Sequence, residues 1–249
     1  VATQPDSNSK PIGSNPIGAP AAADAQPQLA YGDLRQWLDE ARRLGEVKDV
    51  SGLNWQQDIG MVAGVAMHDD GAPCFVFDQV PDTIEGSRVL VNFFGGKRKN
   101  MTLGFPAELT KLELSEGFRT SFMGPMTRIP PTYVNDGPIF ENVMTGDDVD
   151  VTRFPAPKWH SGDGGRYIGT GSFNVTRDPD EGWINCGTYR VMIHDAKTAG
   201  FYISPGKHGR QMRDKYQARG ERMPVAVVCG GDPMTFLMAS SEVPYGVSE

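Results

Sequence analysis

Residues 170–194, TGSFNVTRDPDEGWINCGTYRVMIH, decide the reading of the fold. β-Branched and aromatic residues crowd 170–176 and again 183–194. The run between them, Arg177-Asp-Pro-Asp-Glu-Gly182, holds the Pro, Asp and Gly that turns favour. The pattern predicts a β-hairpin with a longer loop. Downstream, 200–204 reads as a third strand, 209–220 as a charged helix, 224–229 as a buried strand, and 233–240 as a short apolar helix before a Pro/Gly turn. From Gly169 onward the chain reads as strand-rich.

Upstream the texture differs. Leu34, Trp37, Leu38, Ala41 and Leu44 recur at helical spacing, with Asp33 placed to cap and Gly45 to terminate. A second helix is predicted over 57–68 through Ile59, Val62, Ala63 and Ala66, then strands at 73–80 and 88–94 and a helix at 107–123. Helices alternating with strands predict an α/β N-terminal domain. Pro130-Pro131, Pro138 and Gly146-Asp-Asp-Val-Asp150 then mark short connectors, which puts a domain boundary within 125–150. Residues 1–29, rich in Pro, Ala, Ser, Asn and Gly, bury too little apolar surface to offset the entropy of ordering and read as a disordered leader. The predicted division is therefore 1–29, 30–130 and 131–249.

The chain of 249 residues is 39% apolar and 22% charged, a composition that fits a soluble globular protein of one or two domains. Its formal net charge is −7 and its longest basic run is Lys97-Arg98-Lys99, so no nucleic-acid footprint is written in it; that run reads as a solvated loop. Cys74, Cys186 and Cys229 have no CxxC spacing, which argues against a disulfide framework or thiolate zinc site and for a reducing cytoplasm. No apolar run reaches the roughly 18–20 residues of a membrane span, and the start lacks a secretory-signal pattern, so the expected protein is cytoplasmic, without membrane or nucleic-acid partners. The sequence stops in mid-motif at Glu249 and is expected to continue in the intact protein.

Chemistry-bearing residues gather in the strand-rich half: Asn185, Arg190, His194, Lys207, His208 and Glu249. Asn185, His208 and Glu249 offer the oxygen and imidazole ligands that suit a hard or borderline divalent ion such as Mn or Mg; for each alone, an ordinary hydrogen-bonding role competes. Ser204-Pro-Gly-Lys-His-Gly209, at the mouth of a predicted helix, offers backbone N–H groups and a cation to an anion, or is a plain connector. Gly162-Asp-Gly-Gly165 reads as a turn. His160 and His194 have no Ser, Cys or Asp partner at a catalytic spacing, Cys186 reads as an inert packed thiol, and Tyr189 and 234–238 read as core.

Four segments occurring in order change the weight of these residues: Arg166-Tyr-Ile-Gly-Thr-Gly171, Trp183-Ile-Asn-Cys-Gly-Thr-Tyr-Arg190, Ile203-Ser-Pro-Gly-Lys-His-Gly209 and Glu242-Val-Pro-Tyr-Gly-Val-Ser-Glu249. With Gly146-Asp-Asp-Val-Asp150 and Phe154-Pro-Ala-Pro157 upstream, the chain resembles the UbiD-like family of reversible decarboxylases over roughly 31–249. The resemblance implies a central split β-barrel, similar to flavin-reductase barrels, beside the α/β domain and cut off before a C-terminal domain. It implies non-oxidative decarboxylation of an aromatic or α,β-unsaturated acid through a covalent adduct with prenylated FMN, with Mn2+ or Mg2+ and with K+ as a further ion. It assigns Asn185, His208 and Glu249 as metal ligands, Arg190 as the catalytic arginine, and Thr188, Tyr189, Arg190, Ser204, Lys207, His208, Ser240 and Ser241 as cofactor contacts. It also implies a homo-oligomer, a flavin prenyltransferase as cofactor supplier, and an acidic proton donor beyond Glu249, so that these 249 residues alone would be inactive.

One geometric obstacle is visible in advance. Asn185 and Arg190 are an odd number of positions apart and would face opposite sides of a regular strand. They can meet one ligand only if the strand is bulged or bent, for which Gly187 is suited, or if Asn185 contributes from an irregular strand entry; a flat strand over 183–192 would count against the assignment. Two alternatives stand beside the enzyme: a flavin- or phosphate-binding module without catalysis, and a scaffold subunit, for which Asn185, Arg190 and His208 would point apart.

Overall fold

Asp33 opens the first helix as its sequence position predicts: its carboxylate accepts the Gln36 N–H at 2.8 Å, α1 runs Leu34–Arg43, and Gly45 turns the chain away at φ +73°. The computed structural model describes residues 27–122 and 129–249, so nearly all of the predicted leader and part of the predicted domain boundary lie outside the described residues. The stripe of α1 buries Trp37, Leu38 and Ala41. Trp37 is fully buried, and its indole N–H donates to Thr102 Oγ1 at 2.8 Å, so a large apolar body is seated without an orphaned donor.

α1 leads into β1 (Val47–Ser51), which pairs in parallel with β2 (Cys74–Asp78); β2 pairs antiparallel with β3 (Val89–Val91), giving the order β1-β2-β3. The crossover between the parallel strands carries α2 (Asp58–Ala66). β2 is central and packed on both faces. Trp37, Ala41, Val76 and Met101 form the core on one side, and Ile59, Phe77, Val80, Val89 and Val91 on the other. The α/β pattern of this half is as expected, with β1 as an unpredicted addition.

The basic run 97–99 is a correction. It lies in α3 (Gly96–Thr102), not in a solvated loop, and Arg98 is among the most deeply buried side chains described. Its guanidinium pairs with Glu46 and donates to the carbonyls of Ala72 and Asn92, each at 3.0 Å. A buried guanidinium persists only where fixed acceptors replace water, and these are supplied by three separate segments that sequence spacing does not connect. α4 (Lys111–Phe122) closes the half.

The strand-rich half forms two more three-stranded antiparallel sheets. One has the order β4 (Arg166–Gly169), β7 (Arg190–Ile193), β8 (Ala199–Tyr202); the other has the order β6 (Ile184–Gly187), β5 (Phe173–Arg177), β9 (Ala226–Val228). α5 (His208–Ala218) and α6 (Pro233–Ala239) complete it. Small sheets, not a closed barrel, are thus what the described residues contain. The long strand predicted over 183–194 is two strands belonging to different sheets. β9, predicted to be buried, is an edge strand: among the described residues it pairs only with β5, and Val227 is exposed. Among the described residues no helix is long and apolar enough to cross a membrane.

Arg166 joins the two halves. Its guanidinium lies 3.9 Å over the Trp55 ring and donates to the carbonyls of Thr152, Phe154 and Ala156, while the Lys158 N–H donates to the Trp55 carbonyl at 2.9 Å. Gly60 of α2 lies so close to this segment that a Cβ there would overlap the Trp159 carbonyl. The contact holds α2 beside the strand-rich half. Replacing Arg98 with Met should destabilise the protein by about 3–5 kcal/mol, because Glu46 and two carbonyls lose their buried partner, and a urea titration read by circular dichroism measures it.

Candidate functional site

The site begins with an inverted strand. In β5 the alternation places Asn174 and Thr176 inward, at 0% and 2% exposure, while Phe173 and Val175 are only half-buried. A polar inward face needs partners, and the Asn174 amide nitrogen and Thr176 Oγ1 have them, while Asn174 Oδ1 has none among the described residues. Asn174 Nδ2 donates to the carbonyls of Gly187 and Tyr189, each at 3.0 Å. These two carbonyls flank the point at which the chain leaves β6 in one sheet and enters β7 in the other. The strand is therefore broken at Thr188-Tyr189, and the obstacle posed by the odd spacing of Asn185 and Arg190 disappears.

Tyr189 fills the break. Its ring is packed so closely by Gly187 and Gly209 that a Cβ on either would overlap it, and Phe201 meets it edge-on at 5.7 Å. Its hydroxyl accepts the Gly209 N–H at 3.2 Å and an Asn185 Nδ2 hydrogen at 3.3 Å. The other Nδ2 hydrogen of Asn185 goes to Thr176 Oγ1 at 3.0 Å. With both amide hydrogens engaged inward, the Asn185 carbonyl oxygen is left as an acceptor for the adjoining cavity.

That cavity, about 290 Å3, is lined by Asn185, Thr188, Tyr189, Arg190, Ser204, Lys207, His208, Ser240, Ser241 and Glu249. Every site residue expected from the sequence motifs is on its wall. Glu249 arrives by pairing with β6: the Ile184 N–H donates to Ser248 Oγ at 2.8 Å, the Glu249 N–H donates to the Ile184 carbonyl at 3.1 Å, and the Glu249 carboxylate accepts the Cys186 N–H. Burial raises the pKa of this carboxyl, and the Cys186 amide works against the rise. Burial, then the neighbouring Glu249, pushes the Cys186 thiol up, in keeping with an inert thiol.

His208 is the first residue of α5, with its ring edge-on to Trp183 at 5.2 Å and near Tyr245 at 5.8 Å; among the described residues its nitrogens have no hydrogen-bond partner. Lys207, at the N-cap of α5, pairs with Glu242 across the mouth; that hydrogen bond raises the Lys207 pKa and lowers that of Glu242. Both are well exposed, so the pair is weak enough for an anion to displace it. The Arg190 guanidinium has no ion-pair or hydrogen-bond partner among the described residues. It lines this cavity and also a second, more apolar one of about 510 Å3.

Two histidines considered from the sequence lie elsewhere. His194 sits against Gly200 at the β7–β8 turn, and His160 lines the second cavity. Among the described residues no three His, Cys, Asp or Glu side chains converge, so a metal here must draw on the Asn185 amide. Amide oxygen, imidazole and carboxylate fit a hard or borderline divalent ion. Asn174, which holds the Gly187 and Tyr189 carbonyls, and Thr176, which accepts from Asn185, were missed in the sequence; the available signal was the polar alternation Asn174-x-Thr176 interleaved with Phe173 and Val175.

Residues 132–249 match the UbiD family described as the 3-octaprenyl-4-hydroxybenzoate carboxy-lyase Rift-related domain. The chain is 30% identical over 226 residues to pyrrole-2-carboxylic acid decarboxylase of Pseudomonas aeruginosa, covering 87% of this chain and 45% of the relative. It is 34% identical over 152 residues to ferulic acid decarboxylase 1 of Candida dubliniensis, covering 59% and 29%. The closed form of vanillic acid decarboxylase from Sedimentibacter hydroxybenzoicus superposes with a TM-score of 0.75 at 23% identity, over 88% of this chain and 47% of that one. An evolved dimeric form of HmfF, a UbiD-class enzyme from Pelotomaculum thermopropionicum, in complex with prFMN, gives 0.73 at 22% identity, over 88% and 49%. The chain thus spans about half the length of most of these relatives.

Asp178, at the end of the β5–β6 hairpin, is buried and accepts the Asp180 and Glu181 N–H groups and Lys215 Nζ at 2.6 Å. Burial pushes its pKa up, but Lys215, the Glu181 amide and Arg219 outweigh this and hold it below the usual value. A carboxyl depressed in the folded state stabilises fully above the unfolded pKa of about 3.9, and that stability is lost as pH falls through the lower folded value. Urea midpoints measured downward from pH 5 should therefore fall more steeply for the wild type than for Asp178→Asn.

Proposed function

The chain belongs to the UbiD family of decarboxylases, and on that premise we propose that it serves in the reversible, non-oxidative removal of CO2 from a small aromatic or α,β-unsaturated acid, using prenylated FMN and a divalent ion. The observation that carries this is the single cavity joining Asn185, His208 and Glu249 to Lys207 and Arg190. Relatives that act on pyrrole-2-carboxylic acid and ferulic acid support the substrate class, and a structural neighbour in complex with prFMN supports the cofactor.

Asn185, through its oxygen, His208 and Glu249 would hold Mn2+ or Mg2+, and the ion with Lys207 would neutralise a flavin phosphate. Ser204, Ser240 and Ser241 provide hydroxyls on the same wall, and Thr188 and Tyr189 lie between the metal ligands and Arg190. Lys207 would exchange its Glu242 partner for the phosphate. Prenylated FMN supplies, when bound, the electron sink that side chains lack. Arg190 orients the acid: an unpartnered planar guanidinium binds a carboxylate through paired hydrogen bonds and so fixes the bond that must break.

The β4-β7-β8 and β6-β5-β9 sheets are read as parts of a split barrel over 131–249, beside an α/β domain over 30–130. The resemblance puts the acidic proton donor after Glu249, so residues 1–249 alone are expected to bind without turnover. It also implies a homo-oligomer loaded by a flavin prenyltransferase. A binding module without catalysis would share the cavity but not the acid chemistry. A scaffold subunit has less support, because Asn185, Arg190 and His208 share a wall.

Native mass spectrometry with metal analysis, on the full protein co-produced with a flavin prenyltransferase, tests this reading. The wild type should carry prenylated FMN and one divalent ion. Asn185→Ala should lose both, and Arg190→Ala should keep both while kcat/KM falls about 10- to 100-fold, the worth of a charge-assisted hydrogen bond. A wild type that carries neither flavin nor metal would overturn it.

A further inference from the structure

Three aromatic rings meet at His208. Its imidazole lies 5.2 Å from the Trp183 ring at 88° and 5.8 Å from the Tyr245 ring at 79°, and the Trp183 and Tyr245 rings are themselves 5.2 Å apart at 72°. All three contacts are edge-to-face, the arrangement that the charge distribution of aromatic rings favours. Each ring comes from a segment that carries a different proposed metal ligand. Trp183 stands two residues before Asn185 at the entry to β6, His208 opens α5, and Tyr245 stands four residues before Glu249.

The cluster is anchored through Asp178. The Asp178 N–H donates to the Trp183 carbonyl at 2.9 Å, and its buried carboxylate accepts Lys215 Nζ at 2.6 Å. Lys215 is about two turns beyond His208 on the same face of α5, and its Nζ lies 5.7 Å from the centre of the Tyr245 ring. Tyr245 itself sits on a turn in which the Val247 N–H donates to the Pro244 carbonyl at 3.1 Å. It keeps 51% of its surface exposed, so shortening it opens no sealed core. A metal-binding imidazole is ordinarily oriented by a hydrogen bond at its second nitrogen. His208 has none among the described residues, and two ring edges stand against it instead.

We propose that Tyr245 is a positioning residue for the metal: with Trp183 it holds the His208 ring in its ligating orientation and ties the turn that carries Glu249 to the helix that carries His208. The inference rests on the metal reading above and deepens it by naming what orients one of the ligands. Without the Tyr245 ring the imidazole gains rotational freedom that metal binding must then remove, and that entropy is lost from the affinity. The ring does this work, so phenylalanine serves where alanine does not.

The test uses the full protein co-produced with the prenyltransferase, freed of metal by a chelator and titrated with Mn2+. Free manganese is read by electron paramagnetic resonance, flavin occupancy by absorbance and folding by circular dichroism. Tyr245→Ala should weaken Mn2+ binding by about 10- to 100-fold, and Tyr245→Phe should stay within about threefold of the wild type. In a His208→Ala background, Tyr245→Ala should add no more than about twofold, because the residue acts through the imidazole. Should Tyr245→Ala fail to fold, Tyr245→Leu is read in the same way. Unchanged affinity in Tyr245→Ala, where His208→Ala alone weakens binding, overturns the inference and leaves the metal reading standing. A loss of the same size with and without His208 marks a general structural role, and a loss in Tyr245→Phe equal to that in Tyr245→Ala removes the ring from the account; either overturns it. A wild type that binds no Mn2+, or a His208→Ala variant that binds it as tightly as the wild type, removes the metal reading and this inference with it, and both are seen before Tyr245 is touched.

Discussion

The chain changes sheets between Gly187 and Arg190, and the candidate site depends on that step. A continuous strand would put Asn185 and Arg190 on opposite faces. Instead Asn174, reaching across from β5, donates to the carbonyls on either side of the break, and Tyr189 is packed by Gly187 and Gly209 where no Cβ is tolerated. The same tyrosine hydroxyl meets Asn185 and the start of α5. One buried residue thus ties the positions of the Asn185 amide, the helix that begins at His208, and the strand that begins at Arg190.

Buried polar networks are costly when partly satisfied and rigid when fully satisfied. Here the Asn185 amide hydrogens are taken up by the Tyr189 hydroxyl and Thr176 Oγ1, with Asn174 Oδ1 left unpaired behind them among the described residues, while the groups facing the cavity are left for a ligand: the Asn185 oxygen, the His208 ring and the Arg190 guanidinium. The division is between a fixed interior and an available wall. Lys207 and Glu249 are intermediate, since each has a partner, an exposed carboxylate for one and a backbone amide for the other.

Helical spacing made α1, α2, α4 and α5 legible, because a buried stripe at period 3.6 is a local property. The motif residues were legible as a set, and the structure gathers all of them around one cavity. What was not legible is long-range. The odd spacing of Asn185 and Arg190 showed that the chain must bend, but the break into two sheets is fixed by Asn174, more than ten residues away. Arg98 read as solvated because its acceptors come from Glu46, Ala72 and Asn92, and β9 read as buried because an apolar run does not reveal that it has only one neighbour.

Anomalous diffraction at the manganese edge, from crystals of the full protein grown with manganese and prenylated flavin, tests the central claim most directly. The account predicts one peak in the cavity beside β6, within coordinating distance of the Asn185 amide oxygen, the His208 imidazole and the Glu249 carboxylate, with Arg190 on the same wall. A peak elsewhere, or a strand running unbroken from Trp183 through Arg190 that turns Asn185 away from the cavity, would contradict it.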